Sequence, residues 1–227
     1  MQTGKTGAAF ATLVLWAATA QAASTVEQRL ATAATALREV MQIPDKSIPQ
    51  DLLNKAECIV IVPDLKKGAF FFGAKYGRGF LSCRRKSGQG WSAPGAVRIE
   101  GGSIGFQVGG SEMDVFMLVM NERGVDRLLS SRFTLGADAT AALGPVGRTA
   151  EAQTDARMTA EILTWSRARG VFGGVALNGA TLREDDVWNQ QLYKRSIKNR
   201  EIVEGNTAIP KAATALLNEL DRYSSRR

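Results

Sequence analysis

Glycine recurs inside segments of this chain that otherwise alternate like β-strands. The clearest case is residues 101–110, which read GGSIGFQVGG. There Ile104, Phe106 and Val108 alternate with small or polar residues, so the large side chains fall on one face of a strand. Glycine in a strand interior loses backbone entropy and packs nothing, so it marks a bend, a bulge or a close approach by another backbone or a ligand. The pattern therefore favours a curved sheet over a flat one.

Short apolar or alternating runs, separated by glycine, proline or charge, predict a series of strands. The first, Cys58 to Val62, is unbroken, rich in β-branched residues and ended by Pro63, which is typical of a strand covered on both faces. Further strands are predicted at residues 69–72, 76–84, 96–100, 104–108 and 114–120. Spacings of about 8 to 12 residues favour antiparallel pairing over alternating strand and helix units.

Helices are predicted at both ends of the chain and between some strands. Ser24 begins an N-terminal helix, residues 24–43, with Glu27 at the capping-box spacing and a single apolar stripe. Other helices are predicted at residues 50–55, 121–129, 185–196 and 211–223, the last docked by Leu216, Leu217 and Leu220. Residues 154–167 fit a helix or a strand. We prefer a strand because the glycine-rich residues 170–179 are typical of a hairpin's return arm.

Four segments of the chain resemble the SYLF domain, also called the Ysc84 family. They are residues 56–79 (AECIVIVPDLKKGAFFFGAKYGRG), 101–110 (GGSIGFQVGG), 133–148 (FTLGADATAALGPVGR) and 166–182 (SRARGVFGGVALNGATL). Asn189 and Tyr193 also fit the family pattern, whereas Lys194 replaces the glycine expected after the tyrosine. The resemblance implies binding to phospholipid membranes, to phosphoinositides in eukaryotic members, and in some eukaryotic members to actin filaments.

The first 22 residues have the pattern of an export signal. Lys5 provides a basic start, residues 8–18 are apolar, and Ala20-Gln21-Ala22 is a small-x-small cleavage site. The expected protein is therefore a single SYLF-like domain, residues 23–227, located in the periplasm or cell envelope. For its fold class we predict α+β: a strongly bent, mostly antiparallel sheet, barrel-like or sandwich-like, with helices from both termini packed on it.

Cys58 and Cys83 are the only cysteines. Export to an oxidising compartment favours a disulfide between them, which would close a loop of about 25 residues and stabilise by roughly 3 kcal/mol. Two buried thiols remain the alternative, because sequence does not show the separation of the two β-carbons.

The absence of histidine excludes several kinds of active site. A serine triad, a cysteine and histidine dyad and the common histidine zinc sites all require an imidazole. Glu184, Asp185 and Asp186 lie where acids cap a predicted helix, and Glu112 and Asp114 are interpreted as solvated residues flanking a hairpin turn. We therefore predict no enzyme, no cofactor and no metal site.

Basic residues gather near one apolar run and suggest a membrane contact. The candidate lipid-binding residues are Lys66, Lys67, Phe70, Phe71, Lys75, Arg78, Arg84, Arg85 and Lys86. Each cation near an anionic membrane contributes about 1 kcal/mol, and an inserted phenylalanine about 2 kcal/mol. The alternatives are that the phenylalanines belong to the core and that the lysines form a solvated turn.

These observations predict a function in binding rather than catalysis. The chain carries a net charge of +7, and the expected ligand is anionic phospholipid, held through residues 66–86. The N-terminal helix has a polar face without net charge, so it is expected to pack on the sheet rather than on a membrane. The alternative is an envelope protein-interaction or scaffold module that docks a partner on the bent sheet. Nucleic acid is not an expected partner. Neither is actin, because export separates the protein from cytoplasmic filaments.

Overall fold

A single sheet of nine strands organises the described part of the chain. The computed structural model describes residues 13–44, 46–69, 72–87, 89–104, 109–146, 160–168, 171–177 and 179–224. In spatial order the strands are β5 (Arg132–Thr134), β9 (Thr181–Glu184), β3 (Gly95–Ile104), β2 (Phe72–Cys83), β1 (Cys58–Ala69), β4 (Gly109–Val119), β7 (Ile162–Ala168) and β6 (Ala141–Leu143), with β8 (Val171–Gly174) also paired to β7. All of these pairs are antiparallel except β6 with β7. The sheet curls strongly into a half-barrel, which confirms the predicted α+β class and the bent, mostly antiparallel sheet.

The helices are α1 (Leu13–Met41), α2 (Gln50–Lys55), α3 (Glu122–Leu128), α4 (Asp186–Tyr193), α5 (Asn199–Glu204) and α6 (Thr214–Tyr223). A 3-10 turn, Lys211–Ala213, leads into α6.

The central strand β1 is covered on both faces, as its unbroken apolar run predicts. Ile59 and Ile61 enter one hydrophobic core, together with residues of α1 and α6. Val60 and Val62 point to the opposite face and enter a second core, built with residues of α3 and α5. Successive side chains of a strand alternate between faces, so one apolar strand serves both cores.

Helices from both ends of the chain pack on the sheet. Leu30, Leu37 and Val40 of α1 are fully buried, which confirms that this helix packs on the protein. Leu216, Leu217 and Leu220 dock α6 as predicted, each at most 5% exposed. In the part of the chain that the structure describes, no helix is both long and apolar enough to cross a membrane.

The predicted start of the first helix is wrong. α1 begins at Leu13 and continues through Ser24, so the capping-box spacing does not begin the helix. Alanine has the highest helix propensity, and the alanine-rich residues before Ser24 extend the helix rather than end it. Cleavage after Ala22 stays a prediction.

A bulge in β1 contributes to the curl of the sheet. The register of β1 shifts between Val62 and Leu65, and Asp64 there adopts a φ of 49°. A β-bulge bends its strand and increases the local twist. The neighbouring strand approaches closely at this point, because a β-carbon on Gly79 would lie 2.7 Å from the Cα of Val62. Glycine is therefore required there for space, as the glycine pattern suggests.

Two predicted strands at the far end of the sheet lie partly outside the described residues. Of the predicted strand 69–72, Ala69 ends β1 and Phe72 begins β2, whereas Phe70 and Phe71 lie outside the described residues. The described part of this prediction therefore belongs to two strands rather than one. For the predicted strand 104–108, Ile104 ends β3 and residues 105–108 lie outside the described residues.

The second half of the chain contains both confirmed and missed elements. The preference for a strand within residues 154–167 is confirmed by β7, with residues 154–159 outside the described part, and β8 pairs with it as a hairpin arm. Strands β6 and β9 and helix α5 were not predicted, since each has only three to six residues. Helix α4 ends at Tyr193 rather than at residue 196, because Lys194 turns into the left-handed region, with a φ of 58°.

A disulfide joins Cys58 to Cys83, as predicted, at the end of the β1 and β2 hairpin opposite its turn. The two residues are direct partners in the antiparallel register. Cys58 is fully buried and Cys83 is 6% exposed. The alternative of two separate buried thiols is therefore excluded.

Candidate functional site

The hairpin of β1 and β2 divides the predicted lipid-binding residues between its two ends. Near the turn, Lys67 is directly opposite Lys75, and Lys66 is directly opposite Tyr76. We call Lys66, Lys67 and Lys75 the tip lysines. Arg85 and Lys86 follow the other end of β2, about 33 to 36 Å from Lys75 at about 3.3 Å per residue. The nine predicted residues therefore do not form one surface.

Lys67 and Lys75 form a like-charge pair across the hairpin. Direct partners in an antiparallel register project from the same face, where equal charges repel. Partial burial, and then the neighbouring charge of Lys67, lower the pKa of Lys75 below its ordinary value. A lowered lysine pKa means that the surroundings stabilise the protonated form less than water does. An added anion at this face would relieve that cost.

Lys66 projects from the opposite face of the hairpin. Its Nζ lies 3.5 Å from a carboxylate oxygen of Glu112, and both side chains are more than 60% exposed. Such an exposed pair is weak and exchanges readily with other ions. Lys66 therefore remains accessible to an anionic surface.

Arg78 is held in place by its neighbours on the sheet and on α4. Its Nε lies 3.0 Å from Oδ2 of the buried Asp185 and donates to the hydroxyl of Tyr76 at 2.9 Å. The guanidinium stacks 4.9 Å from the ring of Trp188. Asp185 also accepts a hydrogen bond from the backbone N–H of Trp188, which confirms it as the helix cap of α4. Only about a third of the Arg78 side chain is exposed.

Arg84 is part of the protein interior. Its guanidinium donates to the carbonyl oxygens of Ser224 at 2.5 Å and Leu53 at 3.0 Å, and lies 3.8 Å from the ring of Trp91. These contacts join the end of β2 to α2 and to the residue after α6. Arg85 and Lys86 next to it are exposed, and Arg85 donates to the carbonyl of Trp91. Phe70 and Phe71 lie outside the described residues.

Two predicted turn residues, Glu112 and Asp114, lie instead within β4. Asp114 is only 8% exposed and accepts hydrogen bonds from the Arg167 guanidinium, at 2.9 and 2.6 Å. It also accepts from the backbone N–H of Asp64 at the β1 bulge, at 3.1 Å. Sequence reasoning missed this burial because β4 begins at Gly109, five residues before Asp114. Asp114 is thus a structural partner of arginine rather than a solvated acid.

The sheet also assembles a row of four arginines that sequence analysis missed. Arg78 on β2 is directly opposite Arg98 on β3, which is opposite Arg183 on β9, which is opposite Arg132 on β5. Direct partners share a face, so all four belong to the same face of the sheet. Arg98 lies between Val97 and Ile99, and this alternation signals that it points away from the apolar face. Their alignment, however, depends on pairing between strands far apart in the chain.

Within the described residues, no cluster of three or more acidic, cysteine or histidine side chains is placed to hold a metal ion. Of the acids considered at the start of α4, Asp185 caps the helix and Glu184 accepts from the backbone N–H of Asn199. Lys198 lies 2.7 Å from Asp186, and the hydrogen bond with this carboxylate raises the lysine pKa. These carboxylates are engaged in structural contacts.

This chain is similar to a described family and to several named proteins. The model of a family described as "Ysc84: Las17-binding protein actin regulator" matches residues 100–223. Human SH3 domain-containing YSC84-like protein 1 is 34% identical over 200 residues, which cover 86% of this chain and 58% of the human protein. The Xenopus laevis protein of the same name is 33% identical, covering 81% and 55%. Protein YSC84 of Saccharomyces cerevisiae is 32% identical, covering 78% and 38%. The chain thus spans about half the length of such relatives.

Proposed function

The chain belongs to the Ysc84 family, and from that premise we propose that it is a non-catalytic module that binds anionic phospholipid through the tip lysines. The family description refers to binding and regulation, and neither it nor the relatives' names mention a catalysed reaction. The lysines at this end of the hairpin support lipid as the ligand.

The like-charge pair of Lys67 and Lys75 is the observation that carries this proposal. Two lysines directly opposite each other cost stability in the free protein. Burial and repulsion together lower the pKa of Lys75, and a phosphate headgroup between the two ammonium groups would offset both effects. Lys66, on the other face, adds a third cation at the same end of the hairpin.

The ends of two further strands lie at the same end of the sheet. β3 ends at Ile104 and β4 begins at Gly109, beside the ends of β2 and β1 respectively. The end of the sheet that carries the tip lysines therefore includes the ends of four adjacent strands. We propose that this end meets the membrane. Insertion of Phe70 and Phe71 is part of the proposal and rests on the sequence.

Vesicle co-sedimentation tests the proposal with two charge-matched variants. The triple variant K66Q/K67Q/K75Q removes the tip lysines, and K46Q/K86Q/K211Q removes three exposed lysines elsewhere. At about 1 kcal/mol per lysine, the first should lose roughly 3 kcal/mol, or about a hundredfold in partitioning to anionic vesicles at low salt. The control should lose much less, since only the tip faces the membrane.

Two results would contradict this mechanism. Equal loss in both triple variants would show that net charge, not the hairpin tip, attracts the protein. Equal binding to phosphatidylcholine and phosphatidylglycerol vesicles, or binding unchanged between low and about 0.5 M salt, would exclude electrostatic headgroup contact. Thermal unfolding of each variant checks that the fold is retained.

We further propose that the protein is exported and acts in the periplasm or cell envelope. The support is the signal-like pattern of the first 22 residues. Mass spectrometry of the protein recovered from a bacterial envelope fraction should find an N-terminus at Ala23. A protein that retains Met1 and stays in the cytoplasm would refute this, and would restore cytoplasmic partners, including actin, to consideration.

A protein-interaction role is the second candidate, favoured by the family description and by the relatives' names. Those names mention Las17, actin regulation and SH3 domains, each as a property of the named protein or family. For this chain, the bent sheet would be the docking surface. One stoichiometric partner recovered by cross-linking in envelope extracts, together with no vesicle binding, would favour this role over lipid binding.

A further inference from the structure

We infer that the arginine row (Arg78, Arg98, Arg183 and Arg132) is a second anion site, which binds a soluble ligand carrying two or more phosphoryl groups. The four residues come from β2, β3, β9 and β5, which are consecutive neighbours in the sheet. Neighbouring strands lie about 4.8 Å apart, so the row spans about 14 Å at the backbone. A ligand with several phosphoryl groups can engage more than one arginine of such a row.

Cations outnumber anions along the row. Glu100 bridges two of the arginines, with its carboxylate oxygens 2.9 Å from Arg98 and 3.2 Å from Arg183. Asp185 lies 3.0 Å from Arg78. Arg132 is exposed, and the described residues include no ion pair to it. Two carboxylates therefore face four guanidinium groups.

The packing of the sheet does not explain this excess. Like charges directly opposite each other on paired strands are destabilising, and the row contains three such steps in succession. The apolar side chains that hold these strands, such as Val97, Ile99 and Leu182, lie on the other face, in the second core. A stabilising role in the fold would not require four arginines.

The row is oriented in advance for planar, bidentate contacts. The stack of Arg78 on Trp188 and the bridge by Glu100 limit the rotamers of three arginines. Their side chains are nevertheless 29 to 36% exposed, so the guanidinium edges remain accessible to a ligand. Fixed guanidinium groups recognise phosphate oxygens in pairs, and less freedom is lost per bond formed.

Hydroxyl groups lie beside the row on the same face. Thr134 and Thr181 are two residues from Arg132 and Arg183 along their strands, and their hydroxyl oxygens are 3.4 Å apart. Residues two apart on a strand share a face. These hydroxyls offer further hydrogen bonds to a phosphorylated ligand.

The position of the row argues for a soluble ligand rather than a membrane. Arg78 is six residues from Phe72, the start of β2, or about 20 Å along the strand. A flat membrane that touches the hairpin tip would lie about two Debye lengths from the row at physiological salt. The tip and the row therefore bind different ligands, and the choice of a soluble ligand for the row rests on the proposed membrane contact at the tip.

Isothermal titration calorimetry tests the site by measuring the affinity for sodium tripolyphosphate. Orthophosphate and a single-stranded oligonucleotide, each at the same ionic strength, are the comparison ligands. The full chain should bind tripolyphosphate at least tenfold more tightly than orthophosphate, since several arginines act together. Arg98→Gln and Arg132→Gln should each weaken this binding about tenfold. Arg222→Gln removes an equally charged, exposed side chain on α6 and should leave it unchanged.

Vesicle binding and thermal unfolding complete the test. Arg132→Gln should keep the unfolding temperature and the vesicle partitioning of the parent protein. Equal affinity of Arg132→Gln and Arg222→Gln for tripolyphosphate would overturn the site. So would a parent protein that binds orthophosphate as tightly as tripolyphosphate. Tighter binding of the oligonucleotide than of tripolyphosphate would identify a polymer as the ligand and overturn the inferred class. Loss of vesicle binding in Arg132→Gln would show that the row faces the membrane after all.

Discussion

Opening the disulfide should weaken the protein by an amount that the structure predicts. Cys58 and Cys83 are 25 residues apart in sequence, and closing a loop of that length lowers the entropy of the unfolded chain. The chain-entropy relation gives about 3.5 kcal/mol at 25 °C. With about 2.1 cal/mol/K of unfolding entropy per residue, this loss lowers the unfolding temperature of a 227-residue chain by about 7 °C.

The folded state itself should survive the loss of the disulfide. β1 and β2 remain joined by their ladder of backbone hydrogen bonds, and β1 is covered by a core on each face. Cys58→Ala/Cys83→Ala should lose somewhat more than the reduced wild-type protein, since it also removes two buried sulfur atoms. Comparing the two separates the effect of the cross-link from that of packing.

Urea unfolding, followed by circular dichroism, measures these losses in oxidised, reduced and doubly substituted protein. Vesicle partitioning of the reduced protein should equal that of the oxidised protein, because Cys83 lies eight residues, or about 26 Å, from Lys75. A stability loss below about 1 kcal/mol would refute the loop-entropy reasoning. A change in vesicle binding without unfolding would refute the separation between the two ends of the hairpin.

Two further predictions concern charged groups of the sheet. Asp114→Asn should lower the free energy of unfolding, measured in urea, by about 2 to 3 kcal/mol, because the Arg167 guanidinium loses its least exposed carboxylate partner. A loss below about 0.5 kcal/mol would show that this pair is dispensable. The lowered pKa of Lys75 means that its charge costs stability at neutral pH, and that this cost disappears as the pH rises through the folded-state pKa. Lys75→Gln should therefore raise the unfolding temperature at pH 7 but not at alkaline pH. NMR titration should show that the pKa of Lys75 rises when anionic vesicles are added. A Lys75 pKa that is ordinary and does not change with vesicles would contradict the lipid proposal.

Local sequence patterns predicted those parts of the fold that depend on neighbouring residues. The unbroken apolar run of Cys58 to Val62 predicted a strand covered on both faces. Asn121 and Asp185 cap helices near the predicted helix starts. Predictions failed where an apolar segment was compatible with more than one secondary structure. Residues 69–72 were predicted as one strand, but Ala69 ends β1 and Phe72 begins β2, and the alanine-rich residues before Ser24 continue a helix.

The candidate site was predicted in composition but not in geometry. All seven predicted cations lie on or just beyond β1 and β2, yet they are distributed over both ends and both faces of the hairpin. Arg84 resembles the others in sequence, although it is buried against Trp91 and the end of the chain. Which cations are accessible depends on contacts between residues more than 100 positions apart, and a local pattern does not record such contacts.

The amino-acid sequence alone determined the family, the α+β class, the cysteine pair and the lack of any imidazole for catalysis, because these follow from residue identity and short-range periodicity. Only the tertiary structure decided that Lys67 faces Lys75, that Asp114 is buried with Arg167, and that four arginines from four strands form one row. The physical reason is register. A shift of one residue in strand pairing would move every one of these side chains to the opposite face.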